Sequence, residues 1–490
     1  MSLSKRNQRV VSLRMDERIN HGNDQMKARE LNNVGVPKGP AMKIAFAAVA
    51  RAAKQGVGKQ ELREQIKNVV TSPNSYTEHV LYGDLAQTLI DTSAAQARYV
   101  AREAPAPYRR WGEDLEAGAL QQMEHAVRLP VAVAGALMPD AHQGYGLPIG
   151  GVLATKNCVI PYAVGVDIAC RMKLTVLDAP VSTLQDEQER LRNAVERETR
   201  FGIGASFKRK HDHAVMDEDW SITKTTSDQK DRAWKQLGTS GSGNHFVEFG
   251  VLTLAKEDLG LQAGTYLALL SHSGSRGTGA TVASHYSKLA MEQHPELPRE
   301  LAHLSWLDLD QAEGMEYWEA MQLMGKYAAA NHELIHRSIA NHLGMDVLLD
   351  VENHHNFAWK EVHQGEEIVV HRKGATPAGE GVLGIIPGSM GTAGYVVRGK
   401  GEPESLRSAS HGAGRRMSRT AAKKQFNWKD SKRFLDERGV TLISAGLDEV
   451  PMAYKDIEVV MNAQQDLVHA IARFDPRLVK MAPAGERPED

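Results

Sequence analysis

Cysteine is nearly absent from this chain: its 490 residues hold two, Cys158 and Cys170. So few thiols exclude a disulfide-stapled scaffold, and in a reducing compartment a lone thiol can serve as a metal ligand. Long apolar runs are missing too. No stretch approaches the roughly 18 apolar residues of a membrane span, and the first twenty residues, MSLSKRNQRVVSLRMDERIN, hold no run suited to a signal peptide. The expectation is a cytoplasmic protein with no membrane partner. Excess charge of one sign is also lacking, since 59 Lys and Arg against 61 Asp and Glu leave −2. That total gives no global sign of nucleic-acid binding, while leaving room for local basic surfaces. No internal repeat or low-complexity tract is visible, which excludes solenoids and arrays.

The charge that is present is unevenly spread. Residues 1–60 carry 12 Lys or Arg against 4 Asp or Glu. With helical patterns near 42–54 and 60–70 and a Pro-rich APAPY at 104–108, this reads as a basic, helical N-terminal extension over 1–105. A core over 106–480 follows, and the acidic tail 481–490 reads as disordered. Two further basic clusters are Lys208-Arg209-Lys210 and the run Arg415 to Lys424. In the core, short Val- and Ile-rich runs alternate with Gly-rich turns and polar helices, which predicts an α+β class with mixed α and β elements. Strands are expected at Val152–Ala154, Leu174–Leu177, Tyr266–Leu270, Glu367–Val370 and Gly394–Val397. From Met315 to His342 an apolar stripe at helical spacing, including Tyr317, Met321, Met324, Ala328, Ile335 and Ile339, predicts one long helix.

Six segments, most of them Gly-rich, hold an unusual share of the Asp, His, Cys and Asn residues: DAHQGYGLPIGG (140–151), VDIAC (166–170), GTSGSGNHFVE (238–248), SHSGSRGTG (271–279), NHHN (353–356) and SHGAGRRMSR (410–419). Glycine beside a ligand lets the backbone approach an ion or phosphate closely. Asp167 and Cys170, three apart, can point one oxygen and one sulfur at a common ion, and a thiolate can bridge two. His245, His272 and His355 sit in turns that can supply imidazole nitrogens. From ligand softness alone the metal would be zinc. His411 opens His-Gly-Ala-Gly-Arg, where an imidazole can attack a nucleotide α-phosphorus and form a phosphoramidate. Arg276 and Arg415 are candidate phosphate clamps. Against each of these stands the plainer reading of a satisfied turn residue or a structural arginine.

Two motifs compete. Residues 332–342, HELIHRSIANH, contain HExxH and a third histidine at metalloprotease spacing. Ile339, however, stands where a glycine must turn the chain, and in a continuing helix His342 lies about 120° around the axis from His336. GYVVRGKG at 394–401 has P-loop spacing, but no Ser or Thr follows Lys400 to bind magnesium.

Taken in order, MPDAHQGYGLPIGG, GNHFVE, HSGSRG, HHN, PGSMGTAGYV and SHGAGRRMSR make the chain from about residue 119 to 480 resemble the RtcB family of RNA-splicing and RNA-repair ligases. The resemblance implies a single mixed α/β catalytic core with a deep cleft holding two Mn(2+) ions. One would sit on Asp167, Cys170 and His245, the other on Cys170, His272 and His355. It also implies guanylylation of His411 by GTP. Asn244, His245, Phe246, Val247, Glu248, His355, Asn356, Pro387, Gly388, Ser389, Met390, Gly394, Gly412, Ala413, Gly414 and Lys480 would then surround the nucleotide. The implied partners are RNAs with 2′,3′-cyclic phosphate or 3′-phosphate ends and 5′-hydroxyl ends; the resemblance admits an activating protein and leaves the oligomeric state open. The chain departs from the family pattern at Arg171 and Gly394, where glycine and serine are usual, and in the serines of GTSGSGNH. A metalloprotease, or an RNA-end-binding or sensing protein that kept the fold, are the alternative readings.

Overall fold

The computed structural model describes residues 26–37, 40–96 and 99–486. The first part of the basic extension and the last residues of the acidic tail, 487–490, lie outside them. The chain separates into two compact units, Met1–Ala97 and Arg98–Asp490. Among the described residues no helix is long and apolar enough to cross a membrane.

The first unit is helical: α1 (Ala28–Asn33), α2 (Pro40–Lys54), α3 (Lys59–Thr71) and α4 (Gly83–Gln96). Proline opens α2, where its missing N–H costs no hydrogen bond. The α2 residues Ala41, Ala45, Ala48, Val49 and Ala52 recur on one face and pack with Leu62, Ile66, Val69 and Leu85. The second unit begins earlier than the expected 106. Arg102 N–H already donates to Arg128 O at 3.0 Å and Ala106 N–H to Val127 O at 2.8 Å, which ties this Pro-rich stretch to the end of the helix Ala117–Val127.

Two large sheets, with two short two-stranded pairs beside them, organise the described part of the second unit. A five-stranded sheet runs in the order Tyr108–Arg110, Ala132–His142, Ile149–Thr155, Glu366–Lys373, Phe357–His363. A larger sheet runs Leu383–Ile386, Gly394–Gly399, Val468–Met481, Phe246–Leu254, Gly264–Ser273, Arg171–Leu177, Val347–His354, with Thr441–Ser444 added beside Val468–Met481. Its two ends meet at Asn353, whose amide donates to Ile385 O (3.4 Å) and accepts from Ile385 N–H (3.0 Å). All five expected strands lie within observed ones. The P-loop look-alike is the strand Gly394–Gly399, so its backbone is committed to the sheet. The terminal strand runs one residue past the expected core boundary, and Met481 and Ala482 are both buried.

The long helix spans Ala312–Leu343 and ends at Gly344, in the left-handed conformation (φ 60°) that glycine adopts readily. Its histidines answer the metalloprotease reading. Every ring nitrogen of His332 and His336 has a protein partner: Ser271 Oγ (2.8 Å) and Ser273 O (3.0 Å) for His332, Thr175 Oγ1 (2.7 Å) and Ser271 Oγ (2.8 Å) for His336. Glu333 faces outward to Arg337 and His213, and His342 pairs with Glu198. Burial holds both paired imidazoles neutral, far below the ordinary histidine range. They are a polar seam between helix and sheet. His336→Ala, which strips partners from Ser271 and Thr175, should cost about 2 kcal/mol or more in urea unfolding. Glu333→Ala should stay within about 0.5 kcal/mol, and equal losses in both would contradict the seam.

Candidate active site

The larger sheet converges on one end. Phe246 pairs with His272, and Arg171 pairs with both Ser273 and His354. His245 and Cys170 therefore immediately precede their strands and His355 follows its own, all at the same edge beside His272. Asp167 comes from the loop before Cys170. That loop is held tightly: Ala169 takes φ 56° and donates its N–H to Asn356 O (2.8 Å), while the Asn356 amide donates to Asp167 O (3.3 Å). Asn356 also accepts from Gly374 N–H at 2.7 Å. It is a clamp on the loop and does not line the large cavity described below.

The converging atoms form two groups that share one sulfur, Asp167–Cys170–His245 and Cys170–His272–His355, all buried. Cys170 Sγ lies 3.4 Å from His245 Nε2 and 3.0 Å from His272 Nε2. His245 Nε2 is 3.1 Å from Asp167 Oδ2, and His272 Nε2 is 3.1 Å from His355 Nε2. The Nδ1 atoms of His245 and His272 face the carbonyls of Ser240 (2.8 Å) and Asn244 (3.2 Å). A carbonyl only accepts, so Nδ1 carries the proton and the Nε2 lone pair turns toward sulfur and carboxylate. Burial pushes His272 down to about 3 and His355 well below the ordinary range, so both imidazoles are neutral donors. Burial pushes the Asp167 carboxyl up, but a proton on His245 Nε2 and the nearby Arg276 charge more than offset this, so it lies below its ordinary range; a cation between Asp167 and His245 would take that proton's place. Packed lone pairs with an ionised carboxylate fit cations and little else. Gly274 is needed here, because a Cβ on it would lie 2.2 Å from the Asp167 carboxylate.

His411 stands beside the second group, its ring 4.9 Å from that of His355. Its Nδ1 lies 2.7 Å from Asp140 Oδ2, an oxygen that also accepts from the N–H groups of His411 (3.2 Å) and Gly412 (3.4 Å). Asp140 is fully buried. It orients the ring, leaves Nε2 as the reactive nitrogen and can stabilise positive charge on the imidazole. Sequence reasoning missed this residue although it lies within MPDAHQGYG. Gly414 lets the turn press onto it, since a Cβ there would sit 2.1 Å from Asp140 O.

From His411 opens a cavity of about 430 Å³. It is lined by Asn244, Phe246, Glu248, His272, Pro387, Gly388, Ser389, Met390, Gly394, His411, Gly412, Ala413, Gly414 and Arg415 from the expected set. Glu248 is buried there, and desolvation raises its carboxyl well above the usual range, so it can donate a hydrogen bond. Several expected contacts do not reach the cavity. Val247 packs in the core on the opposite face of its strand from Phe246 and Glu248. Lys480 alternates with Val479 and Met481, which line the cavity, and its ammonium lies 5.6 Å from the Phe201 ring centroid. Arg276 is 2% exposed, bonds to Thr239 Oγ1 (3.0 Å) and Gly202 O (3.4 Å), and does not line the cavity. It braces the loops behind the site instead of presenting an open phosphate clamp. Arg415 is at the rim, where it and Arg419 both pair with Glu449. Arg171 turns its guanidinium to Glu352, 3.3 Å away.

A shared cysteine sulfur among buried imidazoles, next to a carboxylate-oriented histidine and a nucleotide-sized cavity, defines a metal-dependent enzyme. The comparisons with known proteins carry this further. A family model described as tRNA-splicing ligase RtcB matches residues 122–481. The chain is 35% identical over 405 residues to the RNA-splicing ligase RtcB1 of Escherichia coli (strain ATCC 25922), covering 75% of this chain and 95% of that protein. It is 33% identical over 416 residues to the tRNA-splicing ligase RtcB of Nanoarchaeum equitans, covering 69% and 86%. With the RNA-splicing ligase RtcB of Mycobacterium bovis it shares 30% over 430 residues, covering 72% and 98%. The chain belongs to the RtcB family.

Because one sulfur serves both groups, Cys170→Ala should lower bound metal in both pockets together, whereas His245→Ala should spare the pocket built on His272 and His355. Elemental analysis by mass spectrometry after dialysis reads this directly. Full metal content in Cys170→Ala would rule the shared sulfur out.

Proposed function

We propose that this protein is an RNA ligase that joins a 2′,3′-cyclic phosphate or 3′-phosphate end to a 5′-hydroxyl end through a histidine-bound GMP. The observation that carries the reading is the His411–Asp140 pair, set between the thiolate–imidazole cluster and the cavity. The catalytic core is assigned to the second compact unit, which takes in the expected 106–480 together with flanking residues 99–105 and 481–482.

In this reading GTP occupies the cavity with its guanosine among Phe246, Glu248 and the Pro387–Met390 turn. Nε2 of His411 attacks the α-phosphorus, a P–N bond forms, the bond to the β-phosphate oxygen breaks, and pyrophosphate leaves. Asp140 keeps Nδ1 protonated and offsets the positive charge that develops on the ring. A cyclic RNA end is opened by water to a 3′-phosphate. An oxygen of that 3′-phosphate then attacks the same phosphorus, the P–N bond breaks and His411 is regenerated. Finally the 5′-hydroxyl attacks the RNA 3′-phosphorus, forming the phosphodiester and expelling GMP. Two Mn(2+) ions, held when bound by the two Cys170-sharing groups, would neutralise charge on the phosphoryl oxygens during these in-line displacements. The neutral imidazoles and buried carboxylate of this chain support such an assignment, and membership of the RtcB family supports the choice of manganese over zinc.

Incubation with α-labelled GTP and manganese should give an acid-labile covalent GMP adduct on the wild-type protein. It should vanish in His411→Ala and form on the order of 10²-fold more slowly in Asp140→Asn, which keeps the shape but loses the charge. An adduct that persists in His411→Ala would refute the nucleophile, and no adduct on the wild type would refute the ligase reading.

A further inference from the structure

The family match begins at residue 122, so the helical N-terminal unit lies outside it. Its helix α2 has two contrasting faces. The buried one carries Ala41, Ala45, Ala48, Val49 and Ala52; the opposite one carries Lys43, Phe46, Ala47, Ala50, Arg51 and Lys54. At 100° per residue these six fall within an arc of about 140°. Lys43, Arg51 and Lys54 are exposed, Phe46 is 38% exposed, and α2 contains no acidic residue. Among the described residues one carboxylate pairs with a cation of this face, Asp84 at 3.8 Å from Arg51, and both partners are largely in water, so the pair is easily exchanged. The cations span about 16 Å of helix. Ala47 and Ala50 leave the surface between them low, and Phe46 offers a ring at its edge.

We propose that this face of α2 binds the sugar-phosphate backbone of a single-stranded stretch of RNA, with Phe46 stacking on a base. The identity of the polymer rests on the ligase reading above; the polyanion preference rests on the face itself. Cations at intervals along a low surface, with one aromatic among them, are the means by which proteins track single strands without reading sequence. Because α2 and the cleft belong to one chain, RNA held at α2 is presented to His411 at raised local concentration.

The test uses the full chain with a 40-nucleotide unstructured RNA ending in a 3′-phosphate. Lys43→Gln, Arg51→Gln and Lys54→Gln combined should weaken binding of this long RNA about tenfold, and reduce the slope of log affinity against log salt by about 2, from three lost phosphate contacts. GMP transfer to His411 should be unchanged. Phe46→Ala should weaken long-RNA binding with no change in slope. A charge-preserving set, Lys43→Arg, Arg51→Lys and Lys54→Arg, should behave as wild type. Wild-type affinity and slope in the glutamine triple, or failure of the charge-preserving set, would each overturn the proposal. Wild-type protein that binds long RNA through α2 yet forms no GMP adduct would instead leave this surface standing and remove the ligase reading.

Discussion

Everything at the active site depends on the register of one antiparallel sheet. Four neighbouring strands are paired so that Arg171 faces Ser273 and His354 while Phe246 faces His272. These pairings put four ligand residues from distant parts of the chain at one sheet edge, with Cys170 among them. A slip of one residue would turn each strand's side chains to the opposite face and disperse the cluster. Register is protected by burial on both faces, where Val247, Phe249 and Leu269 pack on one side and Met172, Leu174 and Leu270 on the other. The hydrophobic core thus sets the metal geometry before any ion arrives.

The cost of this arrangement is electrostatic. Three imidazoles, a thiol and a carboxylate are packed within hydrogen-bond range of one another and out of water. Burial alone disfavours any charge there. The backbone carbonyls of Ser240 and Asn244 resolve part of the problem by fixing which nitrogen of His245 and His272 is protonated, and Asn356 fixes the loop that carries Asp167. What remains is a set of inward lone pairs that a cation satisfies. His411 avoids the same fate because Asp140 binds its other nitrogen, keeping it beside the cluster without joining it.

Much of this was legible in the sequence, for identifiable reasons. Strands with continuous Val and Ile runs, and a helix whose apolar stripe is unbroken over Ala312–Leu343, announce themselves by periodicity. Ile339 alone was enough to see that HExxH lies on a helix that does not turn, and the structure adds that both histidines are fully hydrogen-bonded. Sequence spacing does not say which face of a strand meets the cavity: Lys480 and Val247 alternate with residues that line it. Arg276 lay in a phosphate-like motif, and its guanidinium donates to Thr239 and Gly202 behind the site. Asp140 was overlooked because its partner is 271 residues away, a pairing that no local pattern encodes.

The central claim is that a single sulfur, Cys170, joins two metal sites on which nucleotidyl transfer at His411 depends. Electron paramagnetic resonance of the protein titrated with Mn(2+) tests it most directly. Two ions sharing one thiolate should bind at two per chain and give the broadened multiline signal of a spin-coupled pair. An isolated six-line signal that persists at two ions per chain would mean separate sites, and would contradict the account.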